Sequence, residues 1–92
     1  MLEHVNDTIF IGKKPLMTYV TSAIIQLSAL PAVTIKARGL SIGPAVDVAQ
    51  ILLRKTNVFE IGEIKISSES LESSDGKNRN VSCIEIPVKR TG

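Results

Sequence analysis

The chain has 92 residues, of which 43% are hydrophobic, and carries eleven basic against nine acidic side chains, for a formal net charge of +2 at pH 7. That length supports one modest core rather than two domains, and the balance is globular rather than disordered. A single histidine and a single cysteine leave little for a metal centre and cannot form an internal disulfide, so metals, cofactors and most enzyme classes are not expected.

Residues 1–7 read as a flexible lead and residues 8–92 as one domain. The lead has neither the basic nor the apolar region of a signal peptide, and no apolar run approaches the roughly 18–20 residues of a membrane span. A cytoplasmic protein without a membrane partner is therefore expected, and the lone thiol of Cys83 suits a reducing compartment. His4 has no second ligand at metal spacing.

Thr8, Ile9, Phe10 and Ile11 form a short β-branched and aromatic run stopped by Gly12, which predicts a strand. Pro15 suits a helix's first turn, and Leu16, Val20, Ala23, Ile24 and Leu27 follow at helical spacing until Pro31. Residues 32–38 alternate, with Val33, Ile35 and Ala37 on one face and Thr34, Lys36 and Arg38 on the other. Ser41 is placed to cap a second helix that accommodates Pro44 in its first turn. That helix, with Ala45, Val46, Val48, Ala49, Ile51, Leu52 and Leu53, is apolar over more than one stripe. A sheet covers only one side of it, so the surplus predicts a second copy of the chain as partner.

Ile61, Ile64 and Ile66 begin a third strand that turns polar, Asp75-Gly76 signals a hairpin, and residues 81–89 return as a fourth strand in which Pro87 asks for an edge or a bulge. The order β-α-β-α-β-β predicts an α/β two-layer sandwich, with both helices on one face of a mixed four-stranded sheet. Residues 67–79 are too polar for a core and are expected to project as a hairpin arm.

The charge is uneven: six bases against three acids in residues 1–59, five against six in residues 60–92. Lys13 and Lys14 lie between a strand and a helix start whose cap position offers no side-chain acceptor, an arrangement that suits a phosphate and equally fits a solvated turn. Lys36 and Arg38 lie on the face of their strand away from the helices, and Lys77 and Arg79 near the hairpin tip. The first two points both follow strands that feed helices and so share one end of the sheet. A two-fold pair would line up a basic track better suited to a nucleic-acid backbone than to a small anion. With Phe10, Tyr19 and Phe59 as the only aromatics, backbone contact rather than base stacking is expected to dominate. Asp47 is expected to order the neighbouring basic loop, and Cys83 to be packing. Residues 39–43 lack the glycines and lysine of a nucleotide-binding loop.

Residues 11–20 (Ile-Gly-Lys-Lys-Pro-Leu-Met-Thr-Tyr-Val), 35–39 (Ile-Lys-Ala-Arg-Gly), Ala45-Val46-Asp47, Asp75-Gly76 and residues 81–86 (Val-Ser-Cys-Ile-Glu-Ile) resemble, in order, the Alba family of archaeal chromatin proteins. The resemblance spans residues 8–90. It implies a fold like the C-terminal domain of a bacterial translation initiation factor, and a homodimer that binds double-stranded DNA without sequence specificity and often RNA, condensing the chromosome within the nucleoid. It further implies DNA contact by Lys13, Lys14 and Arg38, hairpin arms that reach toward the minor groove, and acetylation of Lys13, with an acetyltransferase and a deacetylase as partners. Leu40 and Pro44 stand where the family often has cations, and Thr56 where some members have an aromatic dimer–dimer contact. These departures predict weaker binding or less cooperative coating. They keep two alternatives in play, a mainly RNA-binding protein and a protein-interaction module.

Overall fold

The computed structural model describes residues 7–55 and 57–91. The expectations for His4, for Thr56 and for the lead before Asp7 fall outside those residues. The elements are β1 (Thr8–Phe10), α1 (Leu16–Ala29), β2 (Ala32–Arg38), a 3-10 turn (Gly39–Ser41), α2 (Ile42–Lys55), β3 (Phe59–Ile61), β4 (Lys65–Glu72) and β5 (Asn78–Arg90).

The sheet runs β1-β2-β5-β3, with β4 also paired to β5. β1 is parallel to β2, and every other pairing is antiparallel. Asp7, assigned above to the lead, already joins this ladder, because its carbonyl accepts the Thr34 N–H at 2.7 Å.

Both helices lie on the sheet face that carries Ile9, Val33, Ile35, Ile86 and Val88. Tyr19, Val20, Ala23 and Leu27 of α1 and Ala45, Val48, Ala49 and Leu52 of α2 complete this core. Each fully buried aliphatic side chain contributes about 1.5–3 kcal/mol relative to exposure. α1 ends where expected: Leu30 is extended, its N–H returns to the Gln26 carbonyl at 2.8 Å, and Pro31 cannot continue the helix.

Two local expectations need correction. Ser41 does not cap α2. Gly39, at φ +56°, turns the chain into the 3-10 turn, which runs directly into Ile42. The expected third strand is two strands, so the sheet has five and not four. Ile61 pairs with Val88 and Lys65 with Glu85, so residues 62–64 face only Ile86 and Pro87. One extra residue bulges there, beside a proline that has no N–H to donate. Gly62 donates to the Pro87 carbonyl at 2.8 Å, and a Cβ at Gly62 would sit 3.4 Å from the Pro87 ring. β3 and β4 therefore occupy one flank of β5 in succession.

All eight residues of β4 are exposed. Its eight pairings with β5 extend the arm about 25 Å, at roughly 3.3 Å per residue. The arm closes in a tight turn. Gly76 takes φ +82°, the Ser73 N–H donates to the Lys77 carbonyl at 2.8 Å, and the Asp75 carboxylate accepts the Lys77 N–H at 3.1 Å. The Ser73 hydroxyl and that N–H hold the Asp75 carboxyl below its ordinary pKa.

Candidate nucleic-acid interface

Lys13 and Lys14 are exposed in the segment joining β1 to α1. The Ile11 N–H bonds to the Lys36 carbonyl at 2.9 Å, extending the parallel ladder, so this segment leaves the sheet at the end where β2 reaches Arg38 and Gly39. Arg38 pairs in register with Cys83, and β5 runs from there outward to Asn78. The arm thus projects past this same end, carrying Lys77 and Arg79 near its tip. All three predicted basic points lie at or beyond one edge of the molecule.

Tyr19 holds the lysine segment in place. Its hydroxyl accepts the N–H of Gly12 at 2.9 Å and of Lys14 at 3.0 Å, and the ring is only 8% exposed within the core. A Cβ at Gly12 would lie 3.2 Å from that oxygen, so a larger residue would press on the hydroxyl that braces the segment. No side chain caps α1 at Pro15, as expected, while the Thr18 N–H bonds to the Pro15 carbonyl at 3.0 Å. The two lysines therefore hang from a braced backbone.

Lys36 and Arg38 point away from the helices, as the alternation predicts, and both face carboxylates. Lys36 Nζ lies 4.0 Å from Glu85, and Arg38 Nη1 lies 3.3 Å from Glu69. Both pairs are solvent-accessible and worth about 0–1 kcal/mol, so a phosphate can displace either acid. Asp47, expected to order the neighbouring basic loop, forms no ion pair among the described residues; the cations of the outer face meet Glu69 and Glu85 instead. Neither glutamate stands out in the sequence, because only the strand register brings it opposite a cation.

Cys83 is buried on this outer face with Glu69 Oε1 3.5 Å from its sulfur. Desolvation and the carboxylate raise its pKa, which holds the proton on the thiol at neutral pH. Among the described residues no cluster of histidine, cysteine or carboxylate side chains could hold a metal, and no helix is long and apolar enough to cross a membrane. Leu40, two residues after Arg38, stands 99% exposed.

Residues 7–68 match the Alba family model. A protein of Nitrosopumilus maritimus described as "DNA/RNA-binding protein Alba" is 70% identical over 92 aligned positions, covering 98% of this chain and 97% of the relative. One of the same description from Methanocella arvoryzae is 47% identical, covering 92% of this chain and 91% of the relative. Among solved structures, Alba from Thermoplasma volcanium superposes with a TM-score of 0.84 at 41% identity, covering 90% of this chain and 99% of that one. An Alba protein of Trypanosoma brucei shares the fold, with a TM-score of 0.76 at 21% identity over 96% of this chain and 72% of that one. In sequence and in fold, this chain belongs to the Alba family.

Proposed function

We propose that this protein binds nucleic acid through its phosphate backbone, taking double-stranded DNA and also RNA without reading base sequence, and that as a homodimer it coats the chromosome. The observation that carries this reading is the convergence of Lys13, Lys14 and Arg38 on one sheet end past which the arm extends. The relatives' description as DNA/RNA-binding proteins supports it. Lys77 and Arg79 add secondary attraction, as does Lys36 once a phosphate displaces Glu85, and Arg38 engages once Glu69 is displaced.

The dimer is supported by apolar side chains left in solvent on the helix side: Val46 on α2, and Ile66, 80% exposed on the arm face that carries Ile84. A second copy covering them brings two basic ends onto one track. Lys13 is the candidate for acetylation by an acetyltransferase and reversal by a deacetylase. Neutralising it removes a phosphate contact from each subunit. A protein bound along DNA in this way sits with the nucleoid.

The test is a titration of duplex DNA across salt concentrations. About six phosphate contacts per dimer give a slope of log K against log salt near −5. Lys13→Glu with Lys14→Glu lowers affinity for all sequences alike and flattens the slope; an unchanged slope overturns the assignment of those lysines. Sedimentation reads the dimer directly, and Ile66→Glu is expected to yield monomers.

A further inference from the structure

Phe10 is the one large aromatic ring that the fold leaves in solvent, at 67% exposed. It ends β1, the edge strand, on the outer face of the sheet, in register with Lys36, whose Nζ lies 6.0 Å from the ring centroid. The ring forms the ridge between two hollows. One, of about 530 Å³, opens on the outer face between Phe10, Lys36 and Arg38 on one side and Ser67, Glu69 and Glu85 on the other. The second, of about 240 Å³, runs along α1 and includes Lys14, Thr18 and Ser22.

The outer hollow is a weaker phosphate site than the lysine segment, because two carboxylates face it and a phosphate has to displace them from Lys36 and Arg38. It suits a flat, uncharged, polarisable ring: Phe10 offers a stacking surface, and hydroxyl and carboxylate oxygens accept hydrogen bonds from a base edge. The volume exceeds that of one nucleobase. Lys14, across the Phe10 ridge, stands where the phosphate of the same nucleotide can reach it.

Resting on the backbone-binding reading above, we infer that Phe10 is a stacking platform for one unpaired base of single-stranded nucleic acid, with Lys14 taking the adjoining phosphate. In a duplex the bases are stacked on one another and the platform is idle. The two modes therefore separate at this residue: the cations serve both, and the ring serves only the unpaired strand.

The experiment uses short single-stranded oligonucleotides, ribo and deoxyribo in parallel, each carrying one 2-aminopurine, with a duplex as control. Binding of the unaltered protein is expected to quench 2-aminopurine emission. Phe10→Ala and Phe10→Leu are expected to abolish the quench and weaken single-strand affinity about tenfold, while Phe10→Tyr keeps both and duplex affinity stays the same in all three. The ratio of unaltered to Phe10→Ala affinity is expected to hold from low to high salt, unlike the effect of removing a lysine. Quenching with only one sugar type identifies that strand as the ligand. Emission and single-strand affinity unchanged in Phe10→Ala overturn the platform, as does an equal loss on duplex and single strand. If the unaltered protein fails to bind the duplex yet shows the Phe10-dependent quench, the backbone reading falls and the platform stands.

Discussion

The two halves of β5 are one continuous strand held by different forces. From Cys83 to Val88 it lies over the helices, with Ile86 and Val88 in a core of interlocked aliphatic side chains. From Asn78 to Ser82 it pairs only with β4, and nearly every side chain on both strands meets water. The buried half is stabilised by area removed from solvent, the exposed half by a hydrogen-bonded ladder and one tight turn. A region of the second kind opens at low free-energy cost and can conform to a partner's surface, whereas the first keeps the basic loops in fixed positions.

The largest expected break in this contrast comes from Leu27→Ala, which removes a fully buried side chain and is expected to lower unfolding free energy in urea by about 2–5 kcal/mol. Ser68→Ala in the arm is expected to change it by less than about 0.5 kcal/mol. Equal losses would mean that the arm is as tightly held as the core. Tyr19→Phe comes next. It deletes the acceptor for two backbone N–H groups and is expected to cost about 1–3 kcal/mol. Nucleic-acid affinity is expected to fall as well, with the salt slope intact, since no charge is lost.

Gly76→Ala forces a Cβ into a left-handed backbone at φ +82° and is expected to cost about 1–2 kcal/mol, confined to the arm. Amide exchange there is expected to quicken while the α1 and α2 amides are unchanged. Glu69→Gln is also expected to have a small effect on stability, under about 1 kcal/mol. It frees Arg38 for phosphate and is expected to tighten duplex binding modestly. It also removes one cause of the raised Cys83 pKa. Because the folded thiol holds its proton more tightly than a free one, iodoacetamide is expected to react slowly at neutral pH and faster as pH rises. In Glu69→Gln that rise moves to lower pH.

Much of this architecture is legible in the residue pattern, because β1, α1, β2 and α2 each carry a period that matches their element, with Gly12, Pro31 and Gly39 as punctuation. The paired lysines and Arg38 are legible for the same reason: local order sets which end of a strand they follow. Relations between strands distant in sequence are less visible. Nothing local says that Glu85 faces Lys36 or that Glu69 reaches Arg38, since register is a tertiary property. Tyr19 reads as an ordinary core aromatic at helical spacing, and only the fold shows its hydroxyl under residues 12–14. Phe10 is counted among too few aromatics to matter, because its exposure depends on β1 being an edge. One clue was available for the broken strand. Ile61 is odd-numbered and Ile64 and Ile66 even, so an unbroken strand could not hold all three on one face.

The residue looped out across from Pro87 works as a parity switch for everything beyond it. With it in place, even-numbered side chains of β4 such as Ile66 turn toward the helices, while Lys65, Ser67 and Glu69 turn outward to meet Glu85, Cys83 and Arg38. Deleting any one of residues 62–64 would invert that assignment along the full reach of the arm, carrying the carboxylate away from its arginine and the isoleucine onto the charged face. The spacer's length is therefore more tightly constrained than its chemistry, and other residues are expected to replace Glu63 and Ile64 with little effect as long as their number is kept.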